Sequence, residues 1–568
     1  MSGPEAVIGV DVGTGSARAG IFAGDGAMLG KGEQAISLWR SGADFVEQSS
    51  TEIWAAVIAA VAQAREMAGE CTVRGIGFDA TCSLVVLGEA GAPLAVGADE
   101  GAGGQDPIRD VPIRDVPIRD VIVWMDHRAL AEAAEINATE HPVLRYLGGR
   151  ISPEMQTPKL LWLSRHRPES FAKARHFFDL PDFLTWRATG HSSRSLCSLS
   201  CKWTYLGHQR RWDESYFRAI GLGALADEGF RRIGTDVRAP GVPVGRGLTA
   251  AAAAELGLSA GTPVGTSAID AHAGGIGLIG AALEGQPVDQ AGITRRLALI
   301  GGTSSCHMAV SAEPAFVPGV WGPYWGAMLP GLWLNEGGQS ATGALIDHLV
   351  RTHAAYPALA ANAQASGRSI YEVLNARLEM LAAGQDPARL TSGLHVFPDF
   401  HGNRSPRADP SLTGMISGLT LAAGPDELAT LYLAAIQAIA YGTRHIVEIM
   451  NSAGYAIDFV LATGGGSRNP LFLESHADAL GTPVAIGHEP EAVLLGAAIL
   501  GAVAGAIYPG ISAAMTAMSR VGRVIKPRGG ATARYHAAKY AVFQRLFADQ
   551  MAYRALMEDA GRDVREFG

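Results

Sequence analysis

The sequence has no long run of lysine and arginine, and its formal net charge at pH 7 is -9. Proteins that bind nucleic acid neutralise phosphates with basic side chains, so this charge pattern argues against a nucleic-acid partner. Cysteine is also scarce. The five cysteines are scattered and odd in number, which is not the pattern of a disulfide framework and indicates a reducing compartment. They are Cys71, Cys82, Cys197, Cys201 and Cys306.

A secretory signal is missing as well, because the first residues lack a basic segment, an apolar core and a cleavage site. The one long uncharged run, AVLLGAAILGAVAGAIY at 492–508, is glycine-rich, solitary and marginal in length for a bilayer. We interpret it as a buried helix and expect a cytoplasmic protein without membrane contact. Cys197 and Cys201 are close in sequence but have no second ligand pair at zinc spacing, so we interpret them as buried thiols and predict no structural metal.

What is present is a long, apolar chain in which predicted strands and helices alternate. Its 568 residues, 48% of them hydrophobic, are enough for two domains with separate cores. A strand near 27–36 precedes a helix near 51–67 with Ser50 or Thr51 as N-cap, and 75–87 reads as two strands around a polar turn. This alternation predicts an α/β fold.

Two similar segments lie about half a chain apart. VIGVDVGTGSARAGIF, Val7–Phe22, and LALIGGTSSCHMAV, Leu297–Val310, each read as strand, glycine turn and strand. Such turns let backbone N–H groups approach an anion, although the first also fits an ordinary hairpin with an exposed Asp11. The repeat predicts a duplicated domain with a nucleotide between the halves and a boundary near 280–295. A third glycine turn, 464–466, lies between a predicted strand and a helix that starts at Asn469 and Pro470.

No GxxxxGK[ST] motif and no protein-kinase motif set occurs, so phosphate binding would rest on the Gly-Thr turns. In GTSAIDAHAGGIG, 265–277, Asp270 is a candidate general base, with His272 as the alternative. Asp126 in VIVWMDHRA and Glu336 in WLNEGGQSATG are candidates for binding sugar hydroxyls, and each is equally compatible with a purely local role. Lys202 in SLSCKWTY has no distinguishing feature on these grounds.

Residues 107–121 spell PIRDV three times without a break. A proline at every fifth position is incompatible with a regular helix or a central strand. We therefore predict an exposed loop, lengthened by duplication, and assign it no function.

Taken together, these motifs resemble those of the FGGY family of carbohydrate kinases, especially its ribulokinase-like branch. The resemblance extends from about residue 6 to 550 and includes DVGTGSARAG, GFDATCSLVVL, WMDHRA, MQTPKLLWL, SLCSLSCKWTY, IDAHAGG, GGTSSCHM, WLNEGGQS, DFHGNRSP and GGGSRNP. It implies a two-lobed, actin-like (ribonuclease H-like) α/β fold with an interlobe cleft. The expected division is an N-terminal lobe at 1–285, a C-terminal lobe at 286–555 and a tail at 556–568.

The resemblance also implies roles for individual residues. Asp270 matches the catalytic aspartate, and Asp11 and Asp270 match the carboxylates near Mg²⁺. The two phosphate loops correspond to Gly13, Thr14, Gly302 and Thr303, and the adenosine motif corresponds to Gly464, Gly465 and Asn469. The sugar contacts correspond to Lys202, Asp270 and Glu336, with Cys82 and Asp126 as further candidates.

The resemblance implies an enzyme that uses ATP and Mg²⁺ to phosphorylate the 5-hydroxyl of a ketopentose, with D-ribulose first. L-ribulose, another ketopentose or a pentitol are alternatives, because one changed hydroxyl contact alters preference without altering the motifs. An actin-like ATP-binding module without sugar kinase activity is the alternative from another class. A small sugar is the expected partner, and a homodimer is plausible by resemblance alone.

Overall fold

The computed structural model describes residues 3–42, 44–97 and 117–563. The chain divides into two compact units, and each is made of several segments. Unit 1 comprises Met1–Thr294, Met308–Asn335 and Gly487–Val521; unit 2 comprises Arg295–His307, Glu336–Ile486 and Gly522–Gly568. The chain therefore passes between the units several times, whereas the predicted boundary at 285/286 would be crossed once. The predicted domain limits 1–285, 286–555 and 556–568 stay a prediction.

The strands are β1 Glu5–Val12, β2 Ser16–Ala23, β3 Met28–Ala35, β4 Trp39–Ser41, β5 Phe45–Gln48, β6 Thr72–Ala80, β7 Leu84–Leu87, β8 Val121–Ile122, β9 His176–Asp179, β10 Arg194–Ser195, β11 Val237–Arg238, β12 Ala268–Ile269, β13 Arg296–Gly301, β14 Ser305–Ser311, β15 Trp321–Trp325, β16 Trp333–Gln339, β17 His395–Phe397, β18 Met415–Ser417, β19 Phe459–Gly464, β20 Val484–Gly487 and β21 Val521–Ile525. These bounds confirm the strands predicted near 27–36 and within 75–87, 297–310 and 459–486.

The α-helices are α1 Ser50–Ala68, α2 Leu130–Ala138, α3 Gln156–His166, α4 Pro168–Lys173, α5 Leu180–Thr189, α6 Leu196–Lys202, α7 Glu214–Ala219, α8 Gly223–Asp227, α9 Ala250–Leu256, α10 Asp270–Ile279, α11 Gln290–Ile293, α12 Gly343–Thr352, α13 Tyr356–Ala365, α14 Ile370–Ala382, α15 Pro425–Ser452, α16 Pro470–Leu480, α17 Ala492–Ala504, α18 Ile511–Met518 and α19 Gly530–Asp563. In the part of the chain that the structure describes, no helix is long and apolar enough to span a membrane.

The core of unit 1 is a five-stranded sheet with the order β12-β6-β1-β2-β3. β1 pairs antiparallel with β2 across the Gly13–Gly15 turn, whereas β6 pairs parallel with both β1 and β12. Because β12, β6 and β1 run in the same direction, their carboxyl ends meet at one edge of the sheet. A second five-stranded sheet has the order β4-β5-β8-β7-β9.

Most of the uncharged run, Ala492–Ala504, forms the buried helix α17, as predicted. Its glycines let it pack closely on the sheet and on α10. A Cβ at Gly496 would lie 1.8 Å from the Ala273 carbonyl oxygen, and one at Gly77 on β6 would lie 2.0 Å from the Ala497 carbonyl oxygen. Only glycine fits such backbone approaches.

Helix α1 begins at Ser50, one residue before the predicted start, and Ser49 is its N-cap residue. Asp120 accepts hydrogen bonds from the Ser50 N–H (2.8 Å) and the Ser50 hydroxyl (2.6 Å). Asp120 belongs to the third PIRDV copy and is buried, and Val121 after it lies in β8 between β5 and β7. The prediction of an exposed loop is therefore wrong for this last part of the repeat, while residues 107–116 lie outside the described residues.

Unit 2 repeats the central arrangement of unit 1. β13 pairs parallel with β19, which pairs parallel with β20, and β14 lies on the other side of β13. As in unit 1, the strand before the glycine turn thus lies between its turn partner and a parallel strand. This common position confirms that the two sequence repeats fold alike.

Candidate functional site

Three carboxyl groups lie together at the edge of the unit 1 sheet. Asp11 on β1 is paired in register with Asp79 on β6, and Asp79 is paired with Ala268 on β12. Asp270, the first residue of α10, follows directly after β12. The parallel direction of these strands therefore brings together Asp11 and Asp270, which are 259 positions apart in the printed numbering, and adds Asp79, which was not among the predicted site residues.

The surroundings give these carboxyl groups different electrostatic properties. Burial, followed by the charge of Asp11 and a hydrogen bond with it, and then the charge of Asp270, raises the pKa of Asp79 well above its ordinary value. These surroundings favour the protonated form of Asp79. Asp11, itself 1% exposed, forms a salt bridge with Arg18, whose guanidinium also contacts Glu491 at 3.1 Å.

Only Asp270 of the three is partly exposed. Its Oδ1 accepts a hydrogen bond from the Ala271 N–H at 2.7 Å, at the start of α10. The backbone thus orients this carboxylate, and its exposure makes it the member of the cluster that a substrate can reach. His272, the alternative base, is completely buried, which disfavours it for direct proton transfer from a substrate.

The Gly13–Thr14 turn is held by side chains from later in the sequence. The Gly13 N–H donates to the Ser16 carbonyl oxygen at 3.0 Å, which closes the turn. The Thr14 hydroxyl accepts from the Trp124 indole N–H at 3.0 Å, and the Thr14 carbonyl oxygen accepts from the Gln48 amide at 2.8 Å. Trp124 and Gln48 therefore stabilise this turn.

Lys202 is the last residue of α6 and is only 4% exposed. Its ammonium lies 4.4 Å from the centre of the Trp321 ring. Asp182 fixes the start of the same helix, because its Oδ1 accepts from the Ser195 N–H at 2.8 Å and from the Ser267 hydroxyl at 3.1 Å. Ser267 directly precedes β12, so Asp182 connects the helix that ends at Lys202 to the strand that leads to Asp270.

Cys82 lies near these groups at the end of β6. Burial raises the pKa of its thiol to about 12, the charges of Lys202 and Lys159 lower it, and those of Asp179 and Asp270 add to the rise. The proximity of Lys202 and Asp270 supports its place among the pocket candidates. A thiol with this pKa remains neutral and is not a nucleophile.

The carboxylate of Asp126 is fully engaged inside unit 1. Oδ2 accepts from the Val46 N–H (2.6 Å) and from the Arg128 guanidinium (2.7 Å), and Oδ1 accepts from the Arg128 N–H (3.0 Å) and Nε (2.8 Å). Arg128 also forms a 2.8 Å salt bridge with Glu47. Asp126 is 0% exposed, so these contacts favour the local role that its sequence also allowed and weigh against a sugar contact.

In unit 2, the exposed Gly302–Thr303 turn packs on the start of α12. The Gly302 carbonyl oxygen accepts from the Gly343 N–H at 3.1 Å, and the Thr303 carbonyl oxygen accepts from the Thr342 N–H at 2.9 Å. A Cβ at Gly343 would lie 2.6 Å from the Gly302 carbonyl oxygen. The carbonyl groups of the turn thus bind the start of α12, while the turn residues themselves remain exposed.

Gly464 is the last residue of β19, and Gly465 follows it, beside this turn. Gly464 has φ +91°, and a Cβ there would lie 2.0 Å from the Gly301 carbonyl oxygen, whereas a Cβ at Gly465 would meet nothing within 4 Å. Gly464 therefore serves the close pairing of β13 and β19, and Gly465 leaves open space for a ligand. Asn469 caps α16 through the Leu471 N–H (3.2 Å), and its amide donates to the Tyr432 hydroxyl (2.6 Å).

Glu336 lies on β16 and is 4% exposed. It belongs to unit 2, whereas Lys202, Cys82 and Asp270 belong to unit 1. The structure thus brings together three of the five predicted sugar contacts within one unit, engages Asp126 locally, and places Glu336 in the other unit.

Duplicated strand-turn-strand segments at Gly-Thr turns, each next to a parallel strand, define a two-domain ATPase fold of the actin-like class. A xylulose kinase from Rhodospirillum rubrum has this fold, with a TM-score of 0.75 and 23% identity over 96% of this chain and 99% of that chain. Residues 6–95 and 113–277 match the N-terminal domain of the FGGY family of carbohydrate kinases, and residues 297–505 match its C-terminal domain. The chain belongs to this family and is a sugar kinase.

Two relatives are similar to this chain over most of its length. The FGGY carbohydrate kinase domain-containing protein of Danio rerio is 51% identical over 556 residues, which is 97% of this chain and 99% of the relative. A D-ribulokinase of Saccharomyces cerevisiae is 39% identical over 530 residues, 88% of this chain and 72% of the relative. The resemblance stated from the motifs is confirmed at the level of the family.

The functional candidates that the sequence did not reveal are Asp79, Arg18 and Asp182. Asp79 had a signal: GFDATCS repeats the order of VDVGTGS, with an apolar strand followed by aspartate and a small polar turn. Arg18 and Asp182 carry no such signal, because their importance depends on partners that only the fold brings near.

Proposed function

We propose that this sugar kinase transfers the γ-phosphoryl group of ATP to the 5-hydroxyl of a ketopentose, with D-ribulose as the preferred substrate. The observation that carries the proposal is the partly exposed Asp270 carboxylate, directly after β12 and beside the buried Asp11–Asp79 pair. The charges of Asp270 and Lys202 both act on the Cys82 thiol, so the three side chains lie near one another. Asp270 is the one carboxylate of this cluster that a bound hydroxyl can reach.

In the proposed reaction, Lys202 and Cys82 bind the sugar, and the substrate hydroxyl approaches Asp270. The hydroxyl oxygen forms a bond to the γ-phosphorus, the bond from that phosphorus to the β-phosphate oxygen breaks, and the hydroxyl proton passes to Asp270. The raised pKa of Asp79 favours its neutral form, which would limit the negative charge beside Asp270. That limit matters because like charges close together disfavour one another and would oppose the approach of a phosphate.

The residues present fit the cofactors that this chemistry needs. Carboxylate oxygens of Asp11 and Asp270 are the hard ligands that Mg²⁺ prefers, and they come from the carboxyl ends of β1 and β12, on either side of β6. Bound Mg²⁺ would neutralise charge on the transferred phosphoryl group. Backbone groups of the two Gly-Thr turns would hold the phosphates, and the open space at Gly465 would receive the adenosine. The turn residues are Gly13, Thr14, Gly302 and Thr303.

The choice of D-ribulose is supported by the 39% identical yeast relative, which is described as a D-ribulokinase. Glu336 and Lys202 are the proposed determinants of sugar preference, since each is a charged side chain in a segment that matches the family's sugar-binding motifs. Asp126 is left out of the proposed pocket because its carboxylate already accepts four hydrogen bonds. The proposed location is the cytoplasm.

The test is ADP release by the purified protein with ATP, Mg²⁺ and a panel of D- and L-ribulose, D- and L-xylulose, ribitol, arabitol and glycerol. We expect the highest kcat/KM with D-ribulose and a product that NMR identifies as the 5-phosphate. Replacement of Asp270 by Asn should lower kcat by about 10²–10⁴-fold with a smaller change in sugar KM, since a general base contributes about that much. Asp25→Asn, an exposed change in unit 1, is the matched control.

Each alternative has its own outcome. A preference for another sugar, with turnover still lost in Asp270→Asn, would retain the mechanism and replace the substrate. A phosphate on another hydroxyl would contradict the assignment of the 5-hydroxyl. Near-normal turnover by Asp270→Asn would exclude Asp270 as the base, and ADP release that no sugar stimulates would contradict the proposed reaction.

A further inference from the structure

Two cysteines and one histidine form a buried cluster next to the carboxylate site but separate from it. Cys197 and Cys201 lie on α6, His272 lies on α10, and each is 0% exposed. One potential ligand atom from each residue lies within 4.8 Å of the other two. Among the described residues this is the group of His, Cys, Asp and Glu side chains whose spacing suits a metal ion.

The sequence explains the convergence. Residues four apart on an α-helix lie on the same face, so the C-x-x-x-C segment directs both thiols to one side of α6. His272 comes from the first turn of α10, which packs near α6 because β12 and the start of α6 are both connected to Asp182. Two helices with a shared anchor thus present three soft or borderline ligands to one point.

The distances agree with the dimensions of a metal site. The Cys201 Sγ and His272 Nε2 atoms are 3.5 Å apart. Bond lengths of about 2.3 Å to sulfur and about 2.0 Å to nitrogen, at a tetrahedral angle, require a sulfur-nitrogen separation of about 3.5 Å. A thiol-imidazole hydrogen bond accounts for this pair as well, but it does not account for the Cys197 thiol lying within 4.8 Å of both.

The environment of Cys197 also suits a thiolate. The backbone N–H of Ile269 donates to Cys197 Sγ at 3.4 Å. Hydrogen bonds from N–H groups to a metal-bound sulfur are typical outer contacts of such sites, because they stabilise the thiolate and fix its direction. Ile269 is the residue before Asp270, so this contact also joins the cluster to the strand end that presents the catalytic carboxylate.

We propose that Cys197, Cys201 and His272 bind one soft d¹⁰ cation, Zn²⁺ or Cu⁺, as a structural clip between α6 and α10. Thiolate ligands select these two metals over Mg²⁺, Ca²⁺ and Mn²⁺. Binding releases the two thiol protons, and the two thiolates neutralise Zn²⁺ or leave one net negative charge with Cu⁺. This inference departs from the prediction of no structural metal, which considered only the sequence spacing of the cysteines and not the histidine that the fold adds.

The clip would stabilise the relative position of the two helices that carry Lys202 and Asp270. α6 ends at Lys202 and α10 begins at Asp270. The metal site itself does not depend on the proposed sugar or on the phosphoryl transfer, so its test has readouts other than activity.

The experiment is to produce the full-length protein in medium with added zinc or copper, remove loosely bound metal by passage over a chelating resin, and measure metal per chain by mass spectrometry. We expect close to one equivalent of Zn²⁺ or Cu⁺, and X-ray absorption that shows two sulfur ligands and one nitrogen ligand. Cobalt-loaded protein should show thiolate-to-cobalt charge transfer. The mass spectrometric measurement on the protein without cobalt identifies which of the two cations is bound.

Variants separate this site from other thiols. Cys197→Ala and Cys201→Ala should each lower retained metal at least about tenfold, as expected when a ligand is lost, whereas Cys71→Ala, at a partly exposed cysteine outside the cluster, should retain it. Metal retention by the double variant Cys197→Ala/Cys201→Ala would overturn the proposal, as would wild-type protein that retains no metal or shows no sulfur ligand. The wild-type measurements decide the question even where a variant does not fold.

Discussion

At the scale of single residues, the structure separates side chains that organise the site from those that a substrate can reach. Asp126 and Asp270 are both aspartates at the end of a strand in a polar motif, and their sequence contexts do not distinguish them. Asp126 is completely buried with four hydrogen bonds, whereas Asp270 is partly exposed. The difference depends on Arg128, whose guanidinium pairs with both Asp126 and Glu47 in the fold.

This contrast yields a prediction for Asp126. Asp126→Asn should lower the free energy of unfolding by about 2–3 kcal/mol, because the buried Arg128 guanidinium loses one of its two carboxylate partners and one carboxylate oxygen no longer accepts hydrogen bonds. Sugar KM should remain within about twofold of the parent, since a change of 1.4 kcal/mol in binding would be needed for tenfold. Urea unfolding and sugar-dependent kinetics measure the two effects.

Asp44→Asn provides the control, because Asp44 is exposed and its backbone carbonyl, not its carboxylate, accepts from the His127 N–H in the same loop. It should leave both stability and KM unchanged. If Asp126→Asn instead retained parental stability and raised the sugar KM severalfold, Asp126 would be a sugar contact and the local role assigned above would be wrong.

At the scale of elements, hydrophobic pattern and glycine content predicted the strands and helices next to the glycine turns. The strand-turn-strand repeats, α1 and the buried helix α17 were all predictable, because apolar periodicity and turn residues act locally. The last PIRDV copy was not, since a proline-rich segment argues against regular structure whereas Asp120 and Val121 are held by distant partners in α1, β5 and β7. The sequence around residue 120 cannot predict that Asp120 binds the start of α1, which lies 70 residues earlier in the chain.

The close packing of α17 leads to a prediction for its glycines. Gly496→Ala should destabilise the protein by about 1–3 kcal/mol or more, because the new Cβ would lie 1.8 Å from the Ala273 carbonyl oxygen and α10 must shift. Since α10 begins at Asp270, kcat should fall as well. Thermal unfolding and steady-state kinetics on the same preparation measure both effects.

Gly24→Ala is the matched change in the same unit, where the nearest atom to a new Cβ, the Tyr508 hydroxyl oxygen, is 4.0 Å away. It should alter stability by less than about 1 kcal/mol. Equal stability of Gly496→Ala and Gly24→Ala would show that α17 tolerates displacement and that close backbone contact does not position α10.

At the scale of the whole molecule, the sequence predicted a duplicated α/β chain, because the two Gly-Thr segments repeat at a distance that only a repeated domain explains. It did not predict that segments 308–335 and 487–521 from the second half of the chain would belong to unit 1. Such exchange follows from long-range packing, as when α17 covers β1 and β6, and no local pattern encodes it. The two units also differ in which of their buried side chains have shifted pKa values.

Most of the aspartates with a raised pKa lie in unit 1, and most of the histidines with a strongly lowered pKa lie in unit 2. Burial raises the pKa of Asp120, Asp179 and Asp182 to about 7. In unit 2, burial lowers the pKa of His307 to about 3 and that of three other histidines to about 4; these are His445, His476 and His536. His176, with a pKa lowered to about 4, and Asp399, with a pKa raised to about 6, are smaller opposing contributions in unit 1 and unit 2.

The two sets predict opposite responses to pH. Between about pH 4 and about pH 7 the folded aspartates bind more protons than the unfolded ones, so unit 1 should lose stability as pH rises through this range. Between about pH 4 and about pH 6.5 the folded histidines bind fewer protons than the unfolded ones, so unit 2 should gain stability over that range. Hydrogen exchange at about pH 5 and about pH 7, corrected for intrinsic rates, should show lower opening free energies in β1 and β6 and higher ones in β19 and α15 at the higher pH.

Asp120→Asn tests the cause as well as the direction. Asparagine can accept from the Ser50 N–H through its oxygen and donate to the Ser50 hydroxyl through its nitrogen, so the start of α1 keeps its partner while one titrating group is removed. The loss of protection in unit 1 between the two pH values should become smaller, and the response of unit 2 should not change. A parallel shift of both units in the parent protein would mean that groups other than these buried aspartates and histidines control the stability of the molecule in this pH range.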